Sequence, residues 1–384
     1  MSERKETVRV AIVGCGNMGR LHARLLGKLP DAEVALLVDP VPEASERLRQ
    51  EVGLPGVPAT TDPGAAFANA AIDAVVIATH HDLHVPLAVA AARAGKHLLV
   101  EKPLALTLEG CRAIGAAVEA AGVQLIVGFQ ARHSPYVRRA RQAIPQPRVL
   151  IGHMIDPRWG EASWAQHPRT GGGNVLSQGV HTLDLLCHLA ADEPVALHAE
   201  GGVVTHDPAA SEVIDTVVAT LRFAGGAVAS LAIGDFGPSP RLGKSSYQLF
   251  DAAGGSATIY RYYDGVLLGR GREWLDYGPE GVARVQTAGL PTGGSREDVQ
   301  AVDPATPHLS ALERDDPVAR MGYAGELAEF VACARENRPP TVAAGWRDGL
   351  RATRLALAAF ESIRTAQTVR LSVEDTMAPP LGAP

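Results

Sequence analysis

The sequence has little of what several large functional classes require. Its four cysteines, Cys15, Cys111, Cys187 and Cys333, stand far apart with no Cys-x-x-Cys pair. That spacing argues against a zinc knuckle or a disulfide framework and leaves them as buried thiols of a reducing compartment. No apolar run approaches the ~18 residues that a membrane span needs. Basic residues are not in excess: 36 Lys and Arg face 42 Asp and Glu, a formal net charge of −6, so no positive field is available to hold nucleic acid. Internal repeats are absent too, and the 40 glycines and 27 prolines fall at turns between periodic segments. The charged start, Met1 to Thr7, runs straight toward a strand, and the expected location is cytoplasmic.

What is present is a globular composition, 46% apolar and 20% charged, over 384 residues. That length exceeds the size at which one core stops growing. Two domains are expected, residues 1–130 and 131–384, with the last helix and strand free to pack back on the first domain and a loose tail at 377–384.

Val8 to Val13 reads as an apolar strand that breaks into Gly14-Cys15-Gly16-Asn17-Met18-Gly19 before a helical stretch from Arg20. In that setting the first glycine permits a tight turn, the second lets backbone amides approach a pyrophosphate, and the third allows close helix-to-strand packing. A second strand, Val34 to Val38, ends in Asp39, 20 positions after Gly19, where a ribose hydroxyl pair is held. Asp39 repels a 2′-phosphate and no arginine follows it directly, so NAD is preferred over NADP. Alternating helices and strands continue to Val127, as expected of parallel βαβ units. Two of the strand ends carry polar clusters. Thr79-His80-His81-Asp82-Leu83-His84 follows one strand; adjacent histidines point apart and no third ligand follows at zinc spacing, so no metal is expected. Asp82 is read instead as a helix cap, with Thr79, His80 and His84 beside the cofactor. His97 to Val100 then ends abruptly in Glu101-Lys102-Pro103, which sets a carboxylate and an ammonium on the ligand-binding rim of the sheet.

In the second half an irregular polar stretch, Asp156 to Thr170, carries Arg158, Trp159 and Trp164, aromatic faces on which a sugar or cyclitol ring can rest. Three glycines, 171–173, lead to Ser177, Gln178, His181 and Asp184. Ser177, His181 and Asp184 recur at i, i+4 and i+7, one face of a helix. His181 titrates near neutrality and so suits proton transfer, with Asp184 orienting or shielding it. Beyond Val195, alternating segments between Gly-rich turns read as an antiparallel open sheet, and residues 286–316 read as polar loop. A sheet face left without helices implies a homodimer or homotetramer.

Taken together, Gly14-x-Gly16-x-x-Gly19, Glu101-Lys102-Pro103, and Gly172-Gly173 leading to Gly179-x-His181-x-x-Asp184 resemble the glucose-fructose oxidoreductase and inositol dehydrogenase family, called Gfo/Idh/MocA. The likeness runs from about Val8 to Leu371. It implies an α/β chain, a Rossmann doubly wound parallel sheet followed by an α/β domain with a large, mostly antiparallel open sheet. It also implies an NAD- or NADP-dependent oxidoreductase acting on a sugar, cyclitol or related cyclic alcohol, in which Lys102 hydrogen-bonds the reacting hydroxyl and His181 is the general acid/base. One departure stands out: many members carry Asp where this chain has Ser177. Two other readings fit the same residues, an NAD-recycling glycosidase of that family and a regulatory NAD-binding protein without chemistry; retention of both Lys102 and His181 argues against the latter.

Overall fold

Short segments rich in valine, leucine and isoleucine make the body of the first sheet, with the two-residue β3 at its edge, and their near-continuous apolar character suits strands buried on both faces. They are β1 (Val8–Val13), β2 (Ala32–Val38), β3 (Ala59–Thr60), β4 (Ala74–Ile77), β5 (His97–Val100) and β6 (Leu125–Val127), all parallel, in the order β3-β2-β1-β4-β5-β6. The order reverses between β1 and β4, which opens a crevice at their carboxyl ends. Helices α1 (Asn17–Leu26), α2 (Pro42–Val52), α3 (Pro63–Ala68), α4 (His84–Arg93) and α5 (Leu108–Ala121) cover the sheet. Local chemistry sets their ends: the Asp62 side chain accepts from the Gly64 amide at the start of α3, and Thr107 does the same for Gly110 at the start of α5. Asp82 is not a cap; the chain makes a 3₁₀ turn over His81–Leu83 and α4 starts without a side-chain acceptor. In this computed structural model the described residues are 7–160, 162–209, 211–238, 240, 243–270, 273–278, 281–286, 295–298 and 309–372.

After α6 (Pro135–Ala143) come β7 (Val149–Ile155), α7 (Val180–Ala190), β8 (Pro194–Gly202), β9 (Thr216–Phe223), β10 (Val228–Gly234), β11 (Ser245–Phe250), β12 (Gly255–Tyr260), β13 (Gly265–Arg270), β14 (Glu273–Gly278), β15 (Gly281–Gln286) and β16 (Ser295–Asp298). The chain closes with α8 (Ala311–Asp315), α9 (Ala324–Glu336), α10 (Trp346–Thr365) and β17 (Val369–Arg370). Eleven strands form the second sheet, β16-β15-β14-β13-β12-β11-β7-β10-β9-β8-β17, antiparallel throughout except for the β7–β10 pair. Its inner face, with Leu150, Leu197, Val217, Leu231 and Leu249, packs on α7 and α10. The outer face leaves Val149, Ile151, Val218 and Val228 exposed.

Residues 286–316 are not wholly loop. The strand β16 pairs with β15 through its backbone despite the polar sequence Ser-Arg-Glu-Asp, and α8 starts at a capping box in which Ser310 and Glu313 satisfy each other's amides. Residues 287–294 and 299–308 of that stretch, and the tail 377–384, lie outside the described residues. The last helix, α10, wedges between the sheets, against α5 and β6 on one side and α7 and β8 on the other, whereas β17 joins the second sheet beside β8. It is α9 that returns to the first sheet: its Leu327, Phe330 and Val331 share a core with Val10 and Ile12 of β1 and Leu25 of α1.

Candidate functional site

The glycine loop is shaped by three different needs. Gly14 has φ +96°, and a Cβ there would lie 2.2 Å from the Ala78 carbonyl oxygen. At Gly19 a Cβ would meet the Gly14 oxygen at 1.8 Å, so α1 can lie this close to β1 only without a side chain. Gly16 is the opposite case, with no atom within 4 Å of where its Cβ would be, and its bare backbone faces open space at a helix N-terminus. That cradle fits a dinucleotide pyrophosphate. Asp39 closes it from the side: one carboxylate oxygen accepts from the Cys15 amide at 2.8 Å, the other from the Val41 amide at 2.9 Å. Cys15 contributes backbone alone, since its buried thiol turns toward the Val38 carbonyl and Ser45. Asn17 is exposed and Met18 half-buried on the first turn of α1.

Glu101, Lys102 and Pro103 follow β5, and the Lys102–Pro103 peptide is cis. The turn is held from behind. Buried His22 of α1 donates through Nε2 to Glu101 Oε1 at 2.7 Å, and fully buried His84 donates through Nδ1 to the Pro103 carbonyl at 2.8 Å. Both Glu101 and His84 therefore support the turn from beneath rather than line the cleft. Thr79 is half-buried on the neighbouring strand end and donates to the His80 carbonyl.

Lys102 alone is sent forward, and Nζ donates to the Ser177 carbonyl at 2.9 Å. Burial lowers its pKa to about 8; nearby Lys244 pushes the same way, while Glu101 and Asp156 oppose. Ser177 and Gln178 sit in a wide π turn, Val175–Gly179, which runs into α7 and presents His181 to the lysine. His181 is 5% exposed, has no hydrogen-bond partner at Nδ1 and meets the edge of the Phe129 ring at 5.8 Å. Burial, then Lys102 and Lys244, hold it well below the usual histidine range, so the imidazole is a neutral base.

Asp184 does not serve His181. Its two oxygens take a bidentate grip on the Arg132 guanidinium, Nε to Oδ2 at 2.8 Å, and Asp348 of α10 adds a third contact at 3.0 Å. Burial opposes the charge on Arg132 and the two carboxylates more than offset it. A partner 52 residues away in sequence thus outcompetes the neighbour one helical turn away.

Two residues unmarked by the sequence complete the cluster. Asp156, at the end of β7, accepts from Lys244 Nζ at 2.6 Å and from Asn174 Nδ2 at 2.9 Å, and Lys244 also donates to Gln178 Oε1 at 3.2 Å. An acid at a strand's carboxyl end was a usable signal for Asp156; nothing local distinguishes Lys244. The loop over residues 156–170 separates its two tryptophans. Trp164 stacks on His80 with centroids 4.2 Å apart and meets the edge of His81 at 4.8 Å, while His81 donates to the Gly171 carbonyl at 2.8 Å. Trp159 is half-buried with its amide on Asp235, and Arg158 is exposed. Among the described residues no three His, Cys, Asp or Glu side chains gather as a metal site, and no helix is long and apolar enough to cross a membrane.

Comparison with known proteins is consistent across the chain. Residues 8–129 match the oxidoreductase family's NAD-binding Rossmann fold, and residues 139–253 match the GFO/IDH/MocA C-terminal domain. An inositol 2-dehydrogenase of Rhizobium meliloti (strain 1021) is 34% identical over 200 residues, 52% of this chain and 59% of that protein. An uncharacterised oxidoreductase of Bacillus subtilis (strain 168) is 26% identical over 369 residues, 95% and 96% of the two chains. The fold is shared with a levoglucosan dehydrogenase solved in complex with NADH, at TM-score 0.78 and 22% identity over 95% of this chain and 99% of that one.

Proposed function

The chain belongs to the Gfo/Idh/MocA oxidoreductase family and its first domain is an NAD-binding Rossmann fold, and on that premise we propose that it transfers a hydride between NAD and a secondary alcohol or ketone of a sugar, cyclitol or related cyclic diol. The observation that carries the reading is a forward-turned ammonium, Lys102, whose charge acts on the buried imidazole of His181, beyond the strand ends that also bear the glycine cradle. Backbone amides from Gly14 to Gly19 hold the pyrophosphate, and Asp39 takes the ribose hydroxyls. NAD supplies the hydride acceptor or donor. Lys102 donates to the reacting oxygen and stabilises the charge that develops there, while His181 takes the hydroxyl proton in oxidation and returns it in reduction. Ser177, Gln178, Arg158, Trp159 and Trp164 border the ring. Incubating the protein with NAD and a panel of sugars, cyclitols and cyclic hydroxy acids, while following absorbance of reduced nicotinamide, tests the activity directly.

The two shifted groups set a pH profile. Lys102 offers a positively charged donor only while protonated, so kcat/KM for oxidation falls as pH rises through about 8. His181 is a base only while neutral, and its depressed pKa moves the acid limb below the ordinary histidine range. An acid limb at or above the ordinary value would contradict the assignment of His181.

NAD should bind more tightly than NADP because the Asp39 carboxylate faces the ribose, and Asp39→Ser should narrow the ratio of dissociation constants by roughly tenfold, the effect of a like charge at partly exposed distance. Equal binding of the two cofactors by the wild type would refute the role of Asp39.

Assembly as a homodimer or homotetramer follows from the outer face of the second sheet, where Val149, Ile151, Val218 and Val228 are 40%, 41%, 55% and 44% exposed on paired neighbouring strands. Light scattering should give a multiple of the 40.3 kDa chain mass, and Ile151→Glu should lower it to that of one chain; a monomer at all concentrations rules this assembly out.

A further inference from the structure

We propose that the ring substrate carries an anionic oxygen group, carboxylate or phosphate, and that Lys244 receives it; the inference rests on the dehydrogenase reading above and names the substrate class of the same site. The argument starts from where the charges around His181 are committed. Glu101 is turned back on His22 through Oε1, and its Oε2 accepts from the Lys102 amide at 3.3 Å. Asp156 is occupied on both oxygens, by Lys244 at 2.6 Å and Asn174 at 2.9 Å. Ser177 brings no charge. Among the described residues, the charged groups that act on the imidazole are Lys102 and Lys244, both cationic.

An ammonium group has three N–H donors. Lys244 spends two of them, on Asp156 and Gln178, and its side chain remains 42% exposed, so the third is available to a ligand. Asp156 and Gln178 fix the position of Nζ without hiding it. Arg158, two residues after Asp156, is exposed. A neutral polyol gains only ordinary hydrogen bonds from such a site, whereas an anionic substituent gains a charge-assisted one from the third N–H of Lys244. Lys102 keeps its place at the reacting oxygen, and Lys244 orients the ring from the acidic end.

The test uses the NADH-loaded protein and matched sets of one ring: glucose, glucuronate and glucose 6-phosphate, with the galactose counterparts, measured by calorimetric titration at low and high salt. At least one acid should bind tenfold or more tightly than its own neutral sugar, with the advantage shrinking in salt, and the uronate and phosphate arms tell which anion is taken. Lys244→Gln should cut that preference at least tenfold, and Lys244→Arg, which keeps the charge, should retain most of it. Neutral sugars bound as well as their acids in every set, or a preference that survives Lys244→Gln, overturns the inference. NAD reduction followed in parallel separates the two claims. Oxidation of a neutral ring without acid-selective binding leaves the dehydrogenase reading standing and removes this one; acid-selective binding with no NAD reduction by any ring does the reverse.

Discussion

Lys102→Met should lower kcat/KM for NAD-linked oxidation by at least about a hundredfold, close to 2.7 kcal/mol of transition-state stabilisation. The side chain is nearly isosteric in its stem, so what is lost is the donor to the reacting oxygen. The turn itself should survive, because it is held by His22 on Glu101 and by His84 on Pro103, neither of which touches the ammonium. NADH affinity, measured by fluorescence titration, should stay close to that of the wild type, since the cradle over Gly14 to Gly19 and Asp39 is untouched. Retention of more than about a tenth of the wild-type rate, a loss below ~1.4 kcal/mol, would place the chemistry elsewhere.

A second large effect is expected at the ion pair behind α7. Arg132→Met should destabilise the protein by roughly 3–5 kcal/mol, the usual consequence of stranding a buried charge. Asp184 is 2% exposed and would lose both of its guanidinium contacts, and Asp348 would lose one. Denaturant titration measures this. Because the bridge ties the turn at Gln130–His133 to α7, which carries His181, and to α10, activity should fall as well even where the variant remains folded. The double variant Arg132→Met with Asp184→Leu should be more stable than the single one, since no charge is then left unpaired. A single-variant loss below about 1 kcal/mol would mean that the carboxylates find water instead.

The sequence made the first sheet and its loop legible because their requirements are local. Gly14 and Gly19 are demanded by contacts within one βαβ unit, and Asp39 follows at the next strand end. The Lys102 turn was legible for the same reason: two charges after an apolar strand need a purpose. Long-range pairing was not. The spacing of Ser177, His181 and Asp184 suggested one shared helix face, yet the turn at Ser177 is a π turn and Arg132 claims Asp184. Lys244 sits among residues with no periodic signal, and only β7 and β11 lying side by side bring it to Asp156. The outer strands from β13 to β16 escaped notice because glycine and charge interrupt their alternation, as in Glu-Trp-Leu-Asp-Tyr-Gly.

The contribution of α9 to the core of the first sheet bears on how the chain is made. Residues that cover Val10, Ile12 and Leu25 arrive roughly two hundred positions after β6 leaves the ribosome. At synthesis rates of about 5–20 residues per second, the nucleotide-binding sheet waits ~10–40 s without the α9 share of its cover. A chain cut short before Leu327 should leave the α9-facing apolar surface of β1 and α1 open to solvent.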